Sequence, residues 1–516
     1  MIGVDNHMSK TKALKVLKYA LLFILLFLFF LRICPIVPYE GDDWYFLGAM
    51  RQPNPYLNVF NPSKVLPEVL EPLCGYAGAY LIYPFTHDYV GSLSIASTGC
   101  VCLFIVAMLY LFNRVLRMRH GFSVKKAFLY ELLFLVFFFV FFKQQNQTSY
   151  YGFWSKSLNC YFNYLIPALI NACAVLFMMA YVDFQSAFNK MNYYRKGAFL
   201  LLVYFSAFSS IQLNIILSSY AFVCFLRAGK KAIKECKGVR DRVWGLWKSS
   251  WIYVLILITW FVSVLFDLSG SRGKMVSNPG WFSLGNAIDT AKALLGTYKK
   301  IYFPLLIILI LGLVLLLVYG IVKKKLNDIL FSFVDAAILL ILNFAYLTLI
   351  YMQAGKGYAE RPDATWGILF YIILLIISVI IMCNTYIRAS GICVPVMLAI
   401  FTLVAFNLNQ PFAQSIYDAG AAKEVDNYII NQIVEADRSG ASSVEVLVPK
   451  FEDQETNWPI PYNMATWLQN TLYAHRITRN RMYITFVPDE NVSKEFYNKD
   501  YSNMFFFDFE RSMYLQ

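Results

Sequence analysis

Long hydrophobic runs alternate with short polar segments from residue 21 to residue 408. A helix needs about 20 apolar residues to cross the hydrocarbon core of a bilayer, so such runs predict membrane-spanning helices. The clearest of them lie near residues 21–33, 91–112, 127–142, 164–181, 251–266, 301–322, 329–351, 366–383 and 393–408.

One further hydrophobic stretch, residues 198–226, has basic residues on both flanks, at 195–196 and at 227–237. Basic flanks favour the cytoplasm, yet one span cannot begin and end on the same side, and two full spans need about 40 residues. We therefore predict a pair of short helices or a re-entrant hairpin with residues 209–214 at its tip. The alternative is one long tilted helix, with a neighbouring span miscounted. The hairpin tip implies an outward-facing cavity, because non-helical backbone at membrane depth must line one or be buried in protein.

Basic residues also set the expected orientation. They cluster before the first run and in the segments 114–126, 227–248 and 323–325, which the positive-inside bias places in the cytoplasm with the N-terminus. No small-residue cleavage site follows the first run, so we expect an uncleaved span. On the outer side are then the loop 35–89, whose residues 65–85 predict an interfacial helix, and the segments 267–274 and 353–362.

The chain loses its hydrophobic character from about residue 411. Residues 424–436 have the spacing of an amphipathic helix, and 443–449 and 482–488 alternate as strands do. We predict a transmembrane domain, 1–410, of about 11 spans including the short hairpin, followed by a small extracytoplasmic α/β domain, 411–516. The expected fold class is an all-α polytopic membrane protein with this appendage.

Composition supports a membrane protein and argues against a soluble domain and against a nucleic-acid-binding protein. Of the 516 residues, 59% are hydrophobic and 15% are charged, whereas about 25% of the residues of soluble domains are charged. The net charge of +13 lies in short loops, as orientation in a membrane demands, so nucleic-acid binding is disfavoured. The ten cysteines show neither a disulfide framework nor a CxxC metal pattern.

Residues 39–46, Tyr-Glu-Gly-Asp-Asp-Trp-Tyr-Phe, follow the first span and form the leading candidate site. Asp42 and Asp43 are candidates for a general base or for ligands of Mg²⁺ or Mn²⁺. Trp44 is a candidate for binding the substrate and for holding the site at headgroup level. Adjacent helical residues diverge by about 100°, so only one carboxylate faces a given point. We predict Asp43 as the base and Asp42 as the N-cap, with the reverse open. The alternative is that both acids merely cap an interfacial helix.

Two predicted outer segments combine glycines with arginine. Arg272 and Lys274 lie in the segment 267–274, and Arg361 lies in the segment 353–362. A planar guanidinium suits a phosphate, and glycines let backbone N–H groups approach an anion. We predict phosphate binding here, against the alternative of flexible turns whose arginines meet lipid headgroups.

Several of these elements resemble a known family. Asp42-Asp43-Trp44 after the first helix, the Asn163-Tyr164-Leu165-x-Pro167 element, the glycine and arginine loops, and a late helix followed by Val446-Leu447-Val448-Pro449 are similar to bacterial Gtr-type multi-pass membrane glycosyltransferases of the GT-C superfamily. The resemblance implies a GT-C-like fold in the bacterial plasma membrane. It also implies transfer of a sugar from a polyprenyl-phosphate donor to an envelope glycan on the outer face.

The resemblance also assigns roles to individual residues. Where a His-Glu-type element is expected at the hairpin, this chain has Ile211-Gln212-Leu213-Asn214, so Gln212 and Asn214, together with Asn163, are expected to hydrogen-bond the substrate. The predicted phosphate clamps are Arg272 and Arg361. No cofactor is certain, since a phosphate leaving group does not require a metal, and Mg²⁺ or Mn²⁺ at the acid pair stays open.

Two other classes of protein stay open. A flippase or transporter for lipid-linked sugars would place ionisable residues at mid-membrane, and the predicted spans are almost free of charge. A non-catalytic envelope-assembly protein would use the C-terminal domain as its contact surface and would tolerate loss of Asp42 and Asp43.

Overall fold

The computed structural model describes residues 2–49, 62–142, 150–235, 238–269, 282–387, 393–406, 412–413, 418–450 and 461–497. Helices dominate these ranges. In chain order they are α1 (Ile2–Leu28), α2 (Gly41–Gly48), α3 (Pro67–Ala77), α4 (Tyr83–Thr86), α5 (Tyr89–Met118), α6 (Val124–Val140), α7 (Leu158–Cys160), α8 (Ile166–Met179), α9 (Phe184–Lys190), α10 (Tyr193–Ser209), α11 (Ile215–Glu235), α12 (Val239–Ser269), α13 (Leu284–Tyr298), α14 (Phe303–Val322), α15 (Leu326–Ala354), α16 (Trp366–Tyr386), α17 (Cys393–Ala405), α18 (Ala419–Arg438), α19 (Pro461–Ala474) and α20 (Glu490–Tyr497). The strands are β1 (Ser443–Pro449) and β2 (Tyr483–Asp489), and π-helical turns at Phe29–Ile33, Gly78–Ile82 and Tyr161–Leu165 continue α1, α3 and α7.

Seven helical stretches in the described part of the chain are long and apolar enough to cross a membrane. They are Ala13–Ile33, Tyr89–Met118, Leu158–Met179, Val239–Ser269, Phe303–Val322, Phe333–Ala354 and Trp366–Tyr386, and Cys393–Ala405 is a shorter apolar helix. The prediction of a helical polytopic membrane protein is confirmed at this level, whereas the count of about 11 spans stays a prediction.

The hydrophobic stretch 198–226 forms two helices, as predicted. Ser210 has extended backbone angles (φ −157°, ψ 128°) that end α10, and α11 begins at Ile215. Asn214 fixes the intervening turn by donating to the Ala207 carbonyl at 3.1 Å, and the Tyr346 hydroxyl on α15 donates to the Ile211 carbonyl at 3.0 Å. The alternative of one continuous tilted helix is wrong.

Two helices of the apolar bundle contain buried carboxylates. Glu131 on α6 lies 2.6 Å from the Lys18 ammonium, and Asp335 on α15 accepts from Arg227 Nε at 2.9 Å. The predicted spans are almost free of charge, and Asp335 is an exception that lies in the stretch Phe333–Ala354. Because each buried acid has a basic partner on another helix, these pairs brace α1 against α6 and α11 against α15.

The C-terminal unit, residues 418–450 and 461–497, combines helices with two parallel strands. β1 and β2 pair from Ser443 opposite Tyr483 to Pro449 opposite Asp489. A two-stranded sheet is marginal by itself, but Val446 and Phe486 on its inner face join the core that the helices form. The predicted helix 424–436 and strand 443–449 are confirmed, and the second strand is confirmed one residue later than predicted.

This unit packs directly onto α2, its His475 ring contacts the Tyr76 ring of α3, and the hydrophobic core continues from the membrane helices into it. A Cβ at Gly48 would lie 2.7 Å from Thr471 Cα, and one at Gly75 would lie 2.2 Å from the Leu47 carbonyl oxygen. Only glycine allows these backbone approaches. The approach at Gly48 seats the C-terminal unit on α2, the helix that carries the leading candidate residues, and the approach at Gly75 packs α3 against α2.

Candidate functional site

Helix α2 begins with a capping box that the sequence did not lead us to expect. Glu40 is the N-cap, with extended backbone angles, and Asp43 is the third helical residue. The Asp43 carboxylate accepts from the Glu40 backbone N–H at 3.1 Å and from the Tyr39 backbone N–H at 3.0 Å. The prediction that Asp42 is the N-cap is therefore wrong, because the N-cap is Glu40, two residues earlier than expected.

Asp43 is fully buried, and within the described part of the chain its hydrogen bonds are to backbone groups. Besides its two contacts at the start of α2, it accepts from the Asn159 backbone N–H at 2.7 Å, which ties α2 to α7. Burial and the nearby Glu40 charge raise the pKa of Asp43 to about 7, against the three N–H donors, which favour the ionised form. The expected base is thus a structural anchor in this structure.

Asp42 is exposed and lines a polar cavity of about 370 Å³. Three other residues that the sequence pointed to line the same cavity: Asn163, Gln212 and Arg361. They come from α2, the π-helical turn after α7, the turn between α10 and α11, and the segment before α16. The fold therefore brings together four predicted residues from four distant stretches.

The cavity also contains polar residues that lie in predicted loops or at the ends of predicted spans but were not predicted as individual site residues. They are Glu40, Lys64, Lys156, Asn159, Asp267 and Gln353. Their signals in the sequence were weak, since Lys156 and Asn159 lie within a long polar loop and Asp267 and Gln353 lie at the ends of apolar runs. Only the packing of helix ends around one space identifies them.

Arg361 is held rigidly at the cavity wall. Its Nε and Nη2 form a two-pronged contact with the buried Asp363, at 3.1 and 2.8 Å. The guanidinium carbon lies 4.9 Å from the centre of the Tyr164 ring and 5.7 Å from that of Tyr358. Nη2 also donates to Cys160 Sγ at 3.3 Å, whereas no described residue accepts from Nη1. Arg361 thus presents Nη1 as a fixed donor group.

The charges around the cavity are mixed. Lys156 pairs with Glu40 at 3.2 Å, and Lys64 donates to the Asn163 side chain at 3.4 Å. Arg361 is paired to Asp363, so both Lys156 and Arg361 already face a carboxylate. Such a lining suits a ligand with many hydroxyl groups and a single anionic group better than a highly charged one.

Two residues predicted to contact substrate do not line the cavity. Trp44 is fully buried, with its ring centroid 6.4 Å from that of Tyr89. Asn214 is buried and donates to Ser263 Oγ at 3.1 Å, while its oxygen accepts from Trp260 at 3.1 Å. Both side chains are used in packing the protein, and we correct their predicted role accordingly.

Three further predictions concern the phosphate-binding residues Arg272 and Lys274, the acid pair Asp42 and Asp43, and a metal ion. Arg272 and Lys274 lie outside the described residues. Asp42 and Asp43 do not converge on one point, since one lines the cavity and the other is buried against backbone. Among the residues that the structure describes, no group of three or more His, Cys, Asp or Glu side chains is placed to hold a metal ion. Binding of Mg²⁺ or Mn²⁺ at the acid pair stays a prediction.

Comparison with known proteins adds no family assignment, because no protein-family model and no curated protein matches the chain. The resemblance to GT-C glycosyltransferases therefore stays a prediction.

Proposed function

We propose that this chain is a membrane glycosyltransferase that moves a sugar from a polyprenyl-phosphate donor to an envelope glycan on the outer face of a bacterial plasma membrane. The observation that carries the proposal is the presence of Asp42 and Arg361 in one cavity, an exposed carboxylate and a fixed guanidinium on the same polar lining. Neither residue type alone would indicate group transfer.

The helix ends around the cavity support its outer location. Asp267 lies near the C-terminal end of α12 and Gln353 near that of α15, and both helices follow basic segments. With the N-terminus and the basic segments in the cytoplasm, these two ends lie on the outer side, as does α2 after the first span.

In the proposed reaction Asp42 is the general base. It takes the proton from an acceptor hydroxyl while that oxygen forms a bond to the anomeric carbon, and the bond from that carbon to the donor phosphate breaks. The phosphate leaves with the bonding electrons, and Arg361 Nη1 donates to its growing charge. A positioned base typically contributes about 100- to 10,000-fold in rate. Asn163, Gln212 and Gln353 supply amide groups for sugar hydroxyls.

The experiment is a lipid analysis that works whichever sugar the donor carries. In a strain that lacks this protein, the unused polyprenyl-phosphate sugar should accumulate and be visible by mass spectrometry of membrane lipids. Wild-type protein should abolish the accumulation, and Asp42→Asn should not, although it reaches the membrane in equal amount. The control is Asp183→Asn, since Asp183 caps α9 through Ser186 at 3.0 Å and Asn caps equally well.

Full rescue by Asp42→Asn would refute the assignment. A flippase is distinguished by dissolving the membranes in detergent, because translocation is then unnecessary. Sugar transfer that returns in detergent extracts of the deletion strain would identify a flippase, whereas continued absence supports the transferase. Normal lipid and glycan profiles in the deletion strain would favour a non-catalytic protein.

A further inference from the structure

Two exposed apolar side chains mark the helical segment that precedes α5. Leu81, in the π-helical turn after α3, and Phe85, in α4, are four residues apart and are 68% and 80% exposed. The Tyr83 ring of α4 packs against the Tyr89 ring of α5, with centroids 5.8 Å apart. Helix α5 is long and apolar enough to cross a membrane, and two residues separate it from α4. The exposed apolar side chains therefore lie at the membrane boundary.

Three exposed arginines of the C-terminal unit lie near this segment. Arg438 ends α18, and Arg476 and Arg479 follow α19. The Asp437 carboxylate joins the two stretches, because it accepts from the Arg479 backbone N–H at 2.8 Å and from the Asn480 backbone N–H at 2.9 Å. The three arginines, which we call the arginine cluster, thus lie at the end of the sheet where both strands begin.

Two contacts bring the arginine cluster to the exposed apolar side chains. The Tyr80 hydroxyl donates at 2.8 Å to the carbonyl of Ala474, which is two residues before Arg476. Burial raises the pKa of Tyr83 on α4, and the charge of the nearby Arg438 opposes that rise. Positive charge and apolar surface therefore adjoin each other at the membrane boundary.

Arg476 occupies a backbone position that favours glycine. Its φ is 57°, in the left-handed region, directly after the end of α19. The Arg476 N–H donates to the Tyr473 carbonyl at 3.1 Å. The Ile477 N–H donates to the Leu472 carbonyl at 2.9 Å, which completes a Schellman cap. Glycine is usual at this position because other residues are strained there, so an arginine indicates a role for the side chain beyond the cap.

The arginine cluster has the chemistry of a phosphate site. Among the described residues, no carboxylate forms an ion pair with any of its three guanidinium groups. Asp437, the acid next to Arg438, is buried and accepts from backbone groups. The neighbouring Arg481 differs, since its guanidinium lies over the Tyr473 ring at 4.9 Å. A guanidinium binds phosphate oxygens through two parallel N–H bonds, so the cluster fits an anionic phosphate group.

We infer that the arginine cluster, together with Leu81 and Phe85, forms a binding surface for anionic phospholipids of the leaflet in which α5 begins. The apolar side chains lie among the acyl chains, and the guanidinium groups bind the headgroup phosphate, as basic amphipathic segments do at membrane surfaces. A phospholipid supplies both parts in one molecule, whereas a soluble acidic glycan would leave Leu81 and Phe85 exposed to water. None of these residues lines the cavity, so the surface does not depend on the proposed sugar transfer.

The test identifies the lipid that contacts Phe85. In the full-length protein Phe85 is replaced by benzoylphenylalanine, a photoreactive aromatic residue, in nanodiscs where zwitterionic phosphatidylcholine outnumbers anionic phosphatidylglycerol. Mass spectrometry after irradiation gives the ratio of the two attached lipids. Phosphatidylglycerol should be enriched by about tenfold or more over its share of the bilayer. The same probe in place of Val314, a half-exposed residue of the apolar helix α14, should give the bulk ratio.

Arg476→Gly separates a lipid contact from a structural role. Glycine relieves the left-handed strain, so the unfolding temperature in detergent should stay equal or rise, whereas the enrichment should fall by about fivefold. Arg438→Gln combined with Arg479→Gln should bring the lipid ratio close to the bulk value. The matched control combines Lys450→Gln with Lys494→Gln, because these exposed lysines follow β1 and β2 at the opposite end of the sheet.

The lysine control should keep the wild-type enrichment. If the wild-type protein attaches the two lipids at their bulk ratio, the inference is wrong, and an acidic glycan as the true partner would give this result. Enrichment that survives Arg476→Gly and the arginine double variant would also overturn it. So would loss of enrichment in the lysine control, since net charge alone would then attract the lipid. Should the arginine double variant fail to fold, Arg476→Gly gives the decision.

Discussion

Asp42 and Asp43 are neighbours in the chain, yet Asp42 is exposed to the polar cavity and Asp43 is completely buried with three backbone N–H groups on its carboxylate. The helical rotation of about 100° between adjacent residues gives the two acids different environments. One lines the space where a ligand would bind, and the other fixes the start of α2.

Asp43→Asn should therefore act on stability. An amide has one acceptor oxygen in place of two, so at least one of the three backbone N–H groups loses its partner, at a cost of about 1–3 kcal/mol. We expect a lower unfolding temperature in detergent, with activity per folded molecule retained at more than about a tenth of the wild-type value. Unchanged stability together with lost activity would instead return Asp43 to the role of base.

Arg361→Lys tests the rigid guanidinium. Lysine keeps the charge but cannot form the two-pronged contact with Asp363 while presenting a further donor, so sugar transfer should fall by about tenfold or more. Protein amount should be unchanged. Arg481→Lys is the matched control, because Arg481 also lies over a tyrosine ring, that of Tyr473 at 4.9 Å, and does not line the cavity. Equal activity of both variants would remove Arg361 from the site.

His475 predicts a loss of stability at low pH. Its Nε2 contacts the Leu47 carbonyl at 3.1 Å, so that nitrogen carries the proton and Nδ1 accepts from the Tyr89 hydroxyl at 2.6 Å. Burial lowers the pKa of His475 to about 4 from an ordinary 6.5. The unfolded chain therefore binds the extra proton more readily between these values, and stability falls as the pH drops from about 6.5 to about 4.

The size of this effect is on the order of 3 kcal/mol, from a pKa difference of roughly two to three units. Thermal unfolding in detergent from pH 7 to pH 4 measures it, and His475→Asn should flatten that part of the curve. A wild-type curve without any decline toward pH 4 would show that His475 titrates normally.

Gly48→Ala should loosen the contact between α2 and the C-terminal unit. The added methyl group would lie 2.2 Å from Thr471 Oγ1 and 2.7 Å from Thr471 Cα, so the backbone must shift, at a cost of about 1–3 kcal/mol. Gly285→Ala is the control, because a Cβ there meets no atom within 4 Å. Unfolding temperatures of the two variants give the comparison, and equal values would mean that the close approach carries no constraint.

The structural features that could be predicted from the sequence are those that depend on a local pattern of residues. Apolar runs indicated the membrane helices, and basic flanks on both sides of residues 198–226 indicated the break between α10 and α11. The alternation of residues 443–449 indicated β1. In each case hydrophobic spacing or charge position determines the element, whatever packs against it.

The remaining features depend on tertiary packing. The Glu40-x-x-Asp43 spacing is compatible with a capping box, but only the observed start of α2 decides between Asp42 and Asp43 as the cavity residue. Helix α19 was not predicted, although it forms much of the contact with α2. Glu71 and Asp426 are both fully buried, and no local pattern in the sequence predicts that.

The most direct test of the proposed site is a cryo-electron-microscopy structure of the wild-type protein in a lipid nanodisc with a polyprenyl-phosphate sugar. We expect the phosphate within hydrogen-bond distance of Arg361 Nη1, and the anomeric carbon on the side of the sugar that faces Asp42. A phosphate bound outside the cavity, or a sugar in contact with Asp43 in place of Asp42, would contradict the proposed site.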